Sequence, residues 1–150
     1  MNKLTRRGIL QSSGALLVIS AAPIAGWAST SDMNAAISKL FGERPVTSGK
    51  VTLKIPPISE NGYSVSLGVK VDSPMSDTDY VKRIAIFSER NPIPLIAIFH
   101  LSSASGLAEV SSRIRLSGTQ NVHAIAEMND GSLWSGSAKT LVTIAACVVR

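Results

Sequence analysis

The chain predicts an all-β fold, an immunoglobulin-like antiparallel β-sandwich preceded by a short N-terminal helix. Three observations carry this expectation. Beyond residue 50 the apolar residues fall into seven short segments, turn residues separate those segments, and helical periodicity occurs only once, ahead of them. With one cysteine, no inter-sheet disulfide can form, so only the architecture is implied.

The helix is expected over residues 32–40. Ser31 or Asp32 can cap it, Ile37, Leu40 and Phe41 share a face, and Gly42 stands where a helix should stop. The first strand covers 51–55 and ends at Pro56-Pro57, because proline has no ladder donor. Residues 63–72 alternate, with Val65, Leu67, Val69 and Val71 on one face and Ser64, Ser66, Gly68, Lys70 and Asp72 on the other. Strands over 81–88 and 93–101 flank the turn residues Glu89-Arg90-Asn91-Pro92. The strand at 107–117 closes with Arg113-Ile114-Arg115-Leu116, charges out and aliphatics in. Strands over 120–128 and 133–149 follow, joined through Asn129-Asp130-Gly131, whose Asp-Gly pair favours a hairpin. No internal repeat or low-complexity linker interrupts this order, and Ser102-Ser103-Ala104-Ser105-Gly106 reads as a small polar loop.

Residues 1–28 read as an export signal and 29–150 as one domain. Thr5-Arg6-Arg7-Gly8-Ile9-Leu10-Gln11 places twin arginines before a hydrophobic pair, the apolar stretch 14–22 follows, and small residues at Gly26 and Ala28 suit cleavage after Ala28. That stretch is too short to span a bilayer, so a twin-arginine signal and a periplasmic mature protein are expected, with no membrane attachment after cleavage. Removing Lys3, Arg6 and Arg7 leaves twelve basic residues against ten acidic ones, a formal +2 in place of +5. The remaining charges are interspersed, which argues against a nucleic-acid partner.

An enzyme site is hard to assemble. His100 and His123 lie in separate strand patterns with no His or Cys at metal-ligand spacing, so no metal is expected. No Gly-x-Ser-x-Gly elbow surrounds any serine, and Asp72, Asp77 and Asp79 flank a loop whose carboxylates suit turn capping. Gly68, Gly106, Gly118 and Gly136 are scattered singly, so no phosphate cradle and no cofactor are expected. The residue that stands out is Cys147, the only cysteine, three residues before the last one in an exported chain. A cysteine left over in an oxidising compartment points to an intermolecular bond or to a thiol kept for chemistry.

Five segments, taken in order, resemble the SoxY family, the sulfur-carrier subunit of bacterial thiosulfate oxidation. They are Val71-Asp72-Ser73-Pro74-Met75, IAIFSERNPIP at 84–94, Phe99 with Ala104-Ser105-Gly106, EVSSRIRL at 109–116 and AEMNDG at 126–131. The resemblance runs from about residue 32 to residue 147 and includes the signal. It implies an immunoglobulin-like sandwich paired as a heterodimer with a second small sandwich subunit, SoxZ, which travels as an export passenger. It also implies that a cysteine near the C-terminus, here Cys147, is the covalent sulfur attachment residue, while separate enzymes oxidise and hydrolyse what it carries. Any haem, molybdenum or manganese centre then belongs to those enzymes.

The tail departs from the family. Where the family ends Val-Thr-Ile-Gly-Gly-Cys-Gly-Gly, this chain has Val142-Thr143-Ile144-Ala145-Ala146-Cys147-Val148-Val149-Arg150. Glycines make a slim, freely rotating arm, whereas alanine and valine restrict it and favour a strand. Continuing the last strand would set Thr143, Ala145, Cys147 and Val149 on one face and bury the thiol. Two functions follow: a periplasmic covalent sulfur carrier working on thiosulfate-derived sulfur, or a carrier-like interaction subunit whose arm is inactive. A thiol enzyme is disfavoured, because no basic or resolving partner for Cys147 can be named.

Overall fold

The computed structural model describes residues 29–146. The chain enters through helix α1 (Thr30–Phe41). Its N-cap is Ser29, two residues before Ser31 and three before Asp32, the caps expected from the sequence. Asp32 instead serves as the third helical residue, its Oδ2 accepting the Ser29 N–H at 2.8 Å. Met33, Ile37, Leu40 and Phe41 form the inward stripe, and the helix stops at Gly42, whose N–H reaches the Ser38 carbonyl at 2.8 Å.

Among the described residues nine strands follow: β1 (Val46–Ser48), β2 (Val51–Lys54), β3 (Ile58–Asn61), β4 (Val65–Val71), β5 (Val81–Ser88), β6 (Leu95–His100), β7 (Glu109–Ile114), β8 (Gln120–Met128) and β9 (Leu133–Ile144), with a 3-10 turn at Ser103–Ser105. One sheet runs β1-β9-β8-β5-β6 with β3 also against β9, and the other runs β2-β4-β7. The seven strands expected from the sequence pair antiparallel with one another. Two short additions, β1 and β3, lie parallel to opposite stretches of β9.

The two sheets face each other over Val65, Leu67, Val69 and Val71 of β4, Ile84 and Ile86 of β5, and Val122, Ala124 and Ala126 of β8. The alternation in residues 63–72 thus marks an inner and an outer face as expected. Residues 81–88 behave differently. Ala85 and Phe87 point to the opposite side, where α1 lies, and with Ile125, Leu133, Met33 and Phe41 they make a second apolar layer. Strand β5 is therefore covered on both faces, which is why it reads as a nearly continuous apolar run.

Charge fixes the helix to the sheet. Glu127, almost fully buried, accepts from Arg44 at 2.8 Å and from Arg83, and both guanidinium groups stand over the Phe41 ring, at 5.9 and 4.8 Å from its centroid. Arg44 Nε also donates to the Phe41 carbonyl at 2.8 Å, one of the carbonyls a helix end leaves unpaired. Burial pushes the Glu127 carboxyl up, but the hydrogen bonds from the two arginines outweigh it and hold the group below the ordinary carboxylate range.

Candidate functional site

Cys147 lies outside the described residues, as do residues 1–28, where the sequence leads one to expect an export signal, and residues 148–150. What is described is the base from which Cys147 departs. Within the described residues the last strand ends at Ile144, short of the 133–149 span expected from the sequence. Its pairing with β8 stops at Gln120 opposite Thr140, and β3 takes over on the other edge, Ile58 opposite Leu141 through Asn61 opposite Ile144.

Threonines stitch this stretch to its surroundings. Thr140 Oγ1 donates to the Pro56 carbonyl at 2.7 Å, the Val142 N–H donates to Thr119 Oγ1 at 3.0 Å, and Thr143 Oγ1 donates to the Glu60 carbonyl. A relay of backbone bonds then closes the strand. The Gly62 N–H donates to the Ile144 carbonyl at 2.7 Å, the Leu116 N–H to the Gly62 carbonyl at 2.9 Å, and the Ala146 N–H to the Leu116 carbonyl at 3.0 Å. Only glycine fits at 62, since a Cβ there would sit 2.1 Å from the Leu116 oxygen and 3.1 Å from the Ala146 nitrogen. Ala145 and Ala146 are half-buried, and Cys147 follows directly from this anchored point. Ile58, Tyr63, Leu141 and Ile144, all large and exposed, surround the same end of the molecule.

The other sequence candidates do not converge on this point. His123 Nε2 lies 2.9 Å from Glu89 Oε1, and Asn121 Nδ2 donates to both Glu89 oxygens. Burial raises the Glu89 carboxyl, yet the His123 and Asn121 hydrogen bonds bring it below its ordinary value. His100 is exposed at the end of β6. Asp72 and Asp79 make backbone turn bonds, to Lys50 and to Ser76 respectively. Among the described residues no three His, Cys, Asp or Glu side chains converge on a metal site, and no helix is long and apolar enough to cross a membrane.

At the free edge strand β6, the segment entering it is held at one end and open at the other. Asn91 is buried and bonded to the Arg115 carbonyl at 2.8 Å and the Ser117 N–H at 2.9 Å, whereas Ile93 is 75% exposed. Ile93, Pro94 and Leu95 line an apolar groove of about 340 Å³ against Ala36, Lys39 and Leu40 of α1.

Comparison with known proteins decides the family. A family model described as "Sulfur oxidation protein SoxY" matches residues 37–147. The chain belongs to the SoxY family. The solved sulfur carrier protein SoxY from Chlorobium limicola f thiosulfatophilum is 30% identical, with a TM-score of 0.65 over 77% of this chain and 100% of that one. Superoxide reductases share the fold alone. The neelaredoxin of Ignicoccus hospitalis is 15% identical, with a TM-score of 0.56 over 79% of this chain and 95% of that one. The enzyme of Nanoarchaeum equitans is 12% identical, with a TM-score of 0.53 over 63% and 99%. No curated protein matches by sequence. The sandwich and the SoxY likeness expected from the sequence both stand, and so does the non-enzymatic class, because a sulfur carrier holds its substrate rather than converting it. The anchor at Gly62 and Leu116 was not legible beforehand. Asn61-Gly62 looks like any turn, and backbone-to-backbone bonds leave no side-chain signature.

Proposed function

We propose that this SoxY protein is a periplasmic covalent sulfur carrier that holds sulfur on Cys147 and works as a heterodimer with a SoxZ-like subunit. The observation that carries the reading is the family match, which runs through residue 147 and so includes the cysteine. The fixed backbone at Ala146 supports it, since a carrier needs a rigid base from which the loaded residue reaches partner enzymes. Export by the twin-arginine route belongs to the same reading and rests on Arg6 and Arg7. The half-anchored segment at Asn91–Leu95 and the groove beside α1 are the surface offered to the second subunit, because an apolar edge left open invites aggregation.

Loading joins the Cys147 sulfur to the outer sulfur of thiosulfate. The thiol loses its proton, and two electrons pass to a partner oxidase, leaving Cys147–S–S–SO3⁻. Hydrolysis by a second enzyme breaks the terminal S–S bond. Water supplies the fourth oxygen of sulfate, two protons are released, and a persulfide anion, Cys147–S–S⁻, stays on the chain.

Intact mass of the protein isolated without reductant tests the proposal. The expected result is added mass at Cys147 that reductant removes and that Cys147→Ser abolishes. A thiol that resists alkylation in the native protein and gains no mass with thiosulfate and the oxidising enzyme would favour the carrier-like interaction subunit, a reading to which the Ala-Ala-Cys-Val-Val tail gives specific support.

A further inference from the structure

The outer face of the β2-β4-β7 sheet carries an open groove of about 480 Å³ lined by Lys54, Ser66, Gly68, Ser111, Ser112 and Arg113. Its floor is Gly68, which pairs with Lys54 on one side and Ser111 on the other, while Ser66 pairs with Arg113. Lys54 and Arg113 therefore stand two strands and two residues apart, about 12 Å between Cα atoms, with long side chains that can close on the gap left by the missing side chain at 68. Neither is in any of the three ion pairs among the described residues. Arg113 Nη1 donates to Ser64 Oγ at 3.2 Å, a hydroxyl beyond Ser66 on the side away from Gly68, so Arg113 lies at one end of the groove. The acid on this face, Glu109, lies two residues along β7 from Ser111, opposite Lys70 and outside the groove lining.

Two cations without acidic partners, hydroxyl donors between them and an open floor make a receptor for a small oxyanion with several acceptor oxygens. We infer that this groove binds the sulfonate or sulfate group of a sulfur oxyanion. The choice of sulfur oxyanions rests on the carrier reading. Location agrees with it, since Arg113 lies three residues before Leu116, about 10 Å from the carbonyl that anchors Ala146. The group can thus come from solution, as thiosulfate or sulfate, or from the tail, as the anionic end of a loaded Cys147.

The test follows backbone amides of the full mature chain by NMR. In the first arm the Cys147→Ser protein is titrated with sodium thiosulfate and sodium sulfate against sodium chloride at equal ionic strength. Saturating shifts at Gly68, Ser111 and Arg113 are expected, with Kd raised at least about tenfold in the Lys54→Gln/Arg113→Gln double variant and held within about twofold in Lys70→Gln. All three side chains are exposed, so the variants keep the fold, and a melting curve checks it. In the second arm the Cys147 thiolate is treated with tetrathionate, which leaves S–SO3⁻ on the cysteine sulfur and releases thiosulfate.

Groove shifts that appear on modification and then block free thiosulfate assign the group to the tail, whereas shifts with free anions alone assign it to solution. Absence of saturation in both arms up to on the order of 50 mM, or an unchanged response in the double variant, overturns the inference. Mass added at Cys147 without any groove response overturns the groove and leaves the carrier reading standing. A groove response to free anion in a protein whose Cys147 never loads does the reverse.

Discussion

Replacing Gly62 by alanine attacks the base of the tail without touching a single side-chain contact of the core. The new methyl carbon would lie 2.1 Å from the Leu116 oxygen, about 1 Å inside the closest approach that carbon and oxygen tolerate. The conflict is backbone against backbone, so no rotamer change relieves it. Either Leu116 or the 61–63 segment must move, and the relay Ile144–Gly62–Leu116–Ala146 is broken at one or more of its three bonds. At about 0.5–1.5 kcal/mol for each, together with the strain, the loss comes to roughly 3 kcal/mol. For a domain of this size that lowers the melting temperature by about 10 °C. Gly68→Ala is the control, since its Cβ would meet Lys54 at 3.5 Å, an ordinary contact. Urea unfolding of both variants gives the stability difference, and amide exchange at Gly62, Leu116 and Ala146 reports the relay itself. Loss below about 1 kcal/mol with Ala146 still protected would refute the claim that Gly62 fixes the tail.

Acid should loosen the helix through Glu127. Its carboxyl is held below the ordinary value of 4.5 in the folded protein, so the stability it contributes is complete above that value and is lost as pH falls through the lower folded pKa. Glu89 acts with the same sign. Glu127→Gln should cost about 2 kcal/mol at neutral pH, because two guanidinium groups lose their carboxylate, and should flatten the fall in stability below pH 4.5; an unchanged pH profile would assign that fall to other groups. Ser88, fully buried at the end of β5, has a hydroxyl with no partner among the described residues. Ser88→Ala should therefore raise stability by about 0.5–1 kcal/mol in thermal melts, and a loss of that size would mean the hydroxyl is satisfied.

How much could be read in advance depended on what each element buries. Residues 65–71 show a clean alternation because one face meets the core and the other meets water, so period and burial coincide. The spans 81–88 and 120–128 were bounded correctly because turn residues close both ends. Their second buried face was not foreseen, since it exists only once α1 folds back over Ala85, Phe87 and Ile125. Met33 belongs to that contact and was missed, standing one turn before the apolar residues that marked the helix. Strands β1 and β3 were missed for the opposite reason. Val46–Ser48 is exposed throughout and Ile58–Asn61 nearly so, and both are strands only because β9 offers them a backbone edge.

That edge also explains why the approach to Cys147 was not legible in the sequence. Cys147 announces itself by being alone, but the devices that bring the chain to it are glycines pressed against backbone. Gly62 meets Leu116, and Gly136, the fourth residue of β9, would place a Cβ 2.1 Å from the Val51 carbonyl oxygen. At Gly136 the strand passes β2 with no room for a side chain, which holds this part of β9 close against the facing sheet. Past Thr140 the β8 ladder ends, and β3 together with the Thr140, Val142 and Thr143 bonds holds the strand, with the Leu116 carbonyl taking the Ala146 N–H. The alanines in the family's glycine positions sit at the close of this arrangement, where Ala146 is already committed to Leu116. A stiffer residue there costs the tail little, because the backbone on its N-terminal side is fixed by hydrogen bonds whatever the residue type. The freedom that a carrier needs must then come from the bonds after Ala146, and the substitutions that bear on it are Val148 and Val149 rather than Ala145 and Ala146.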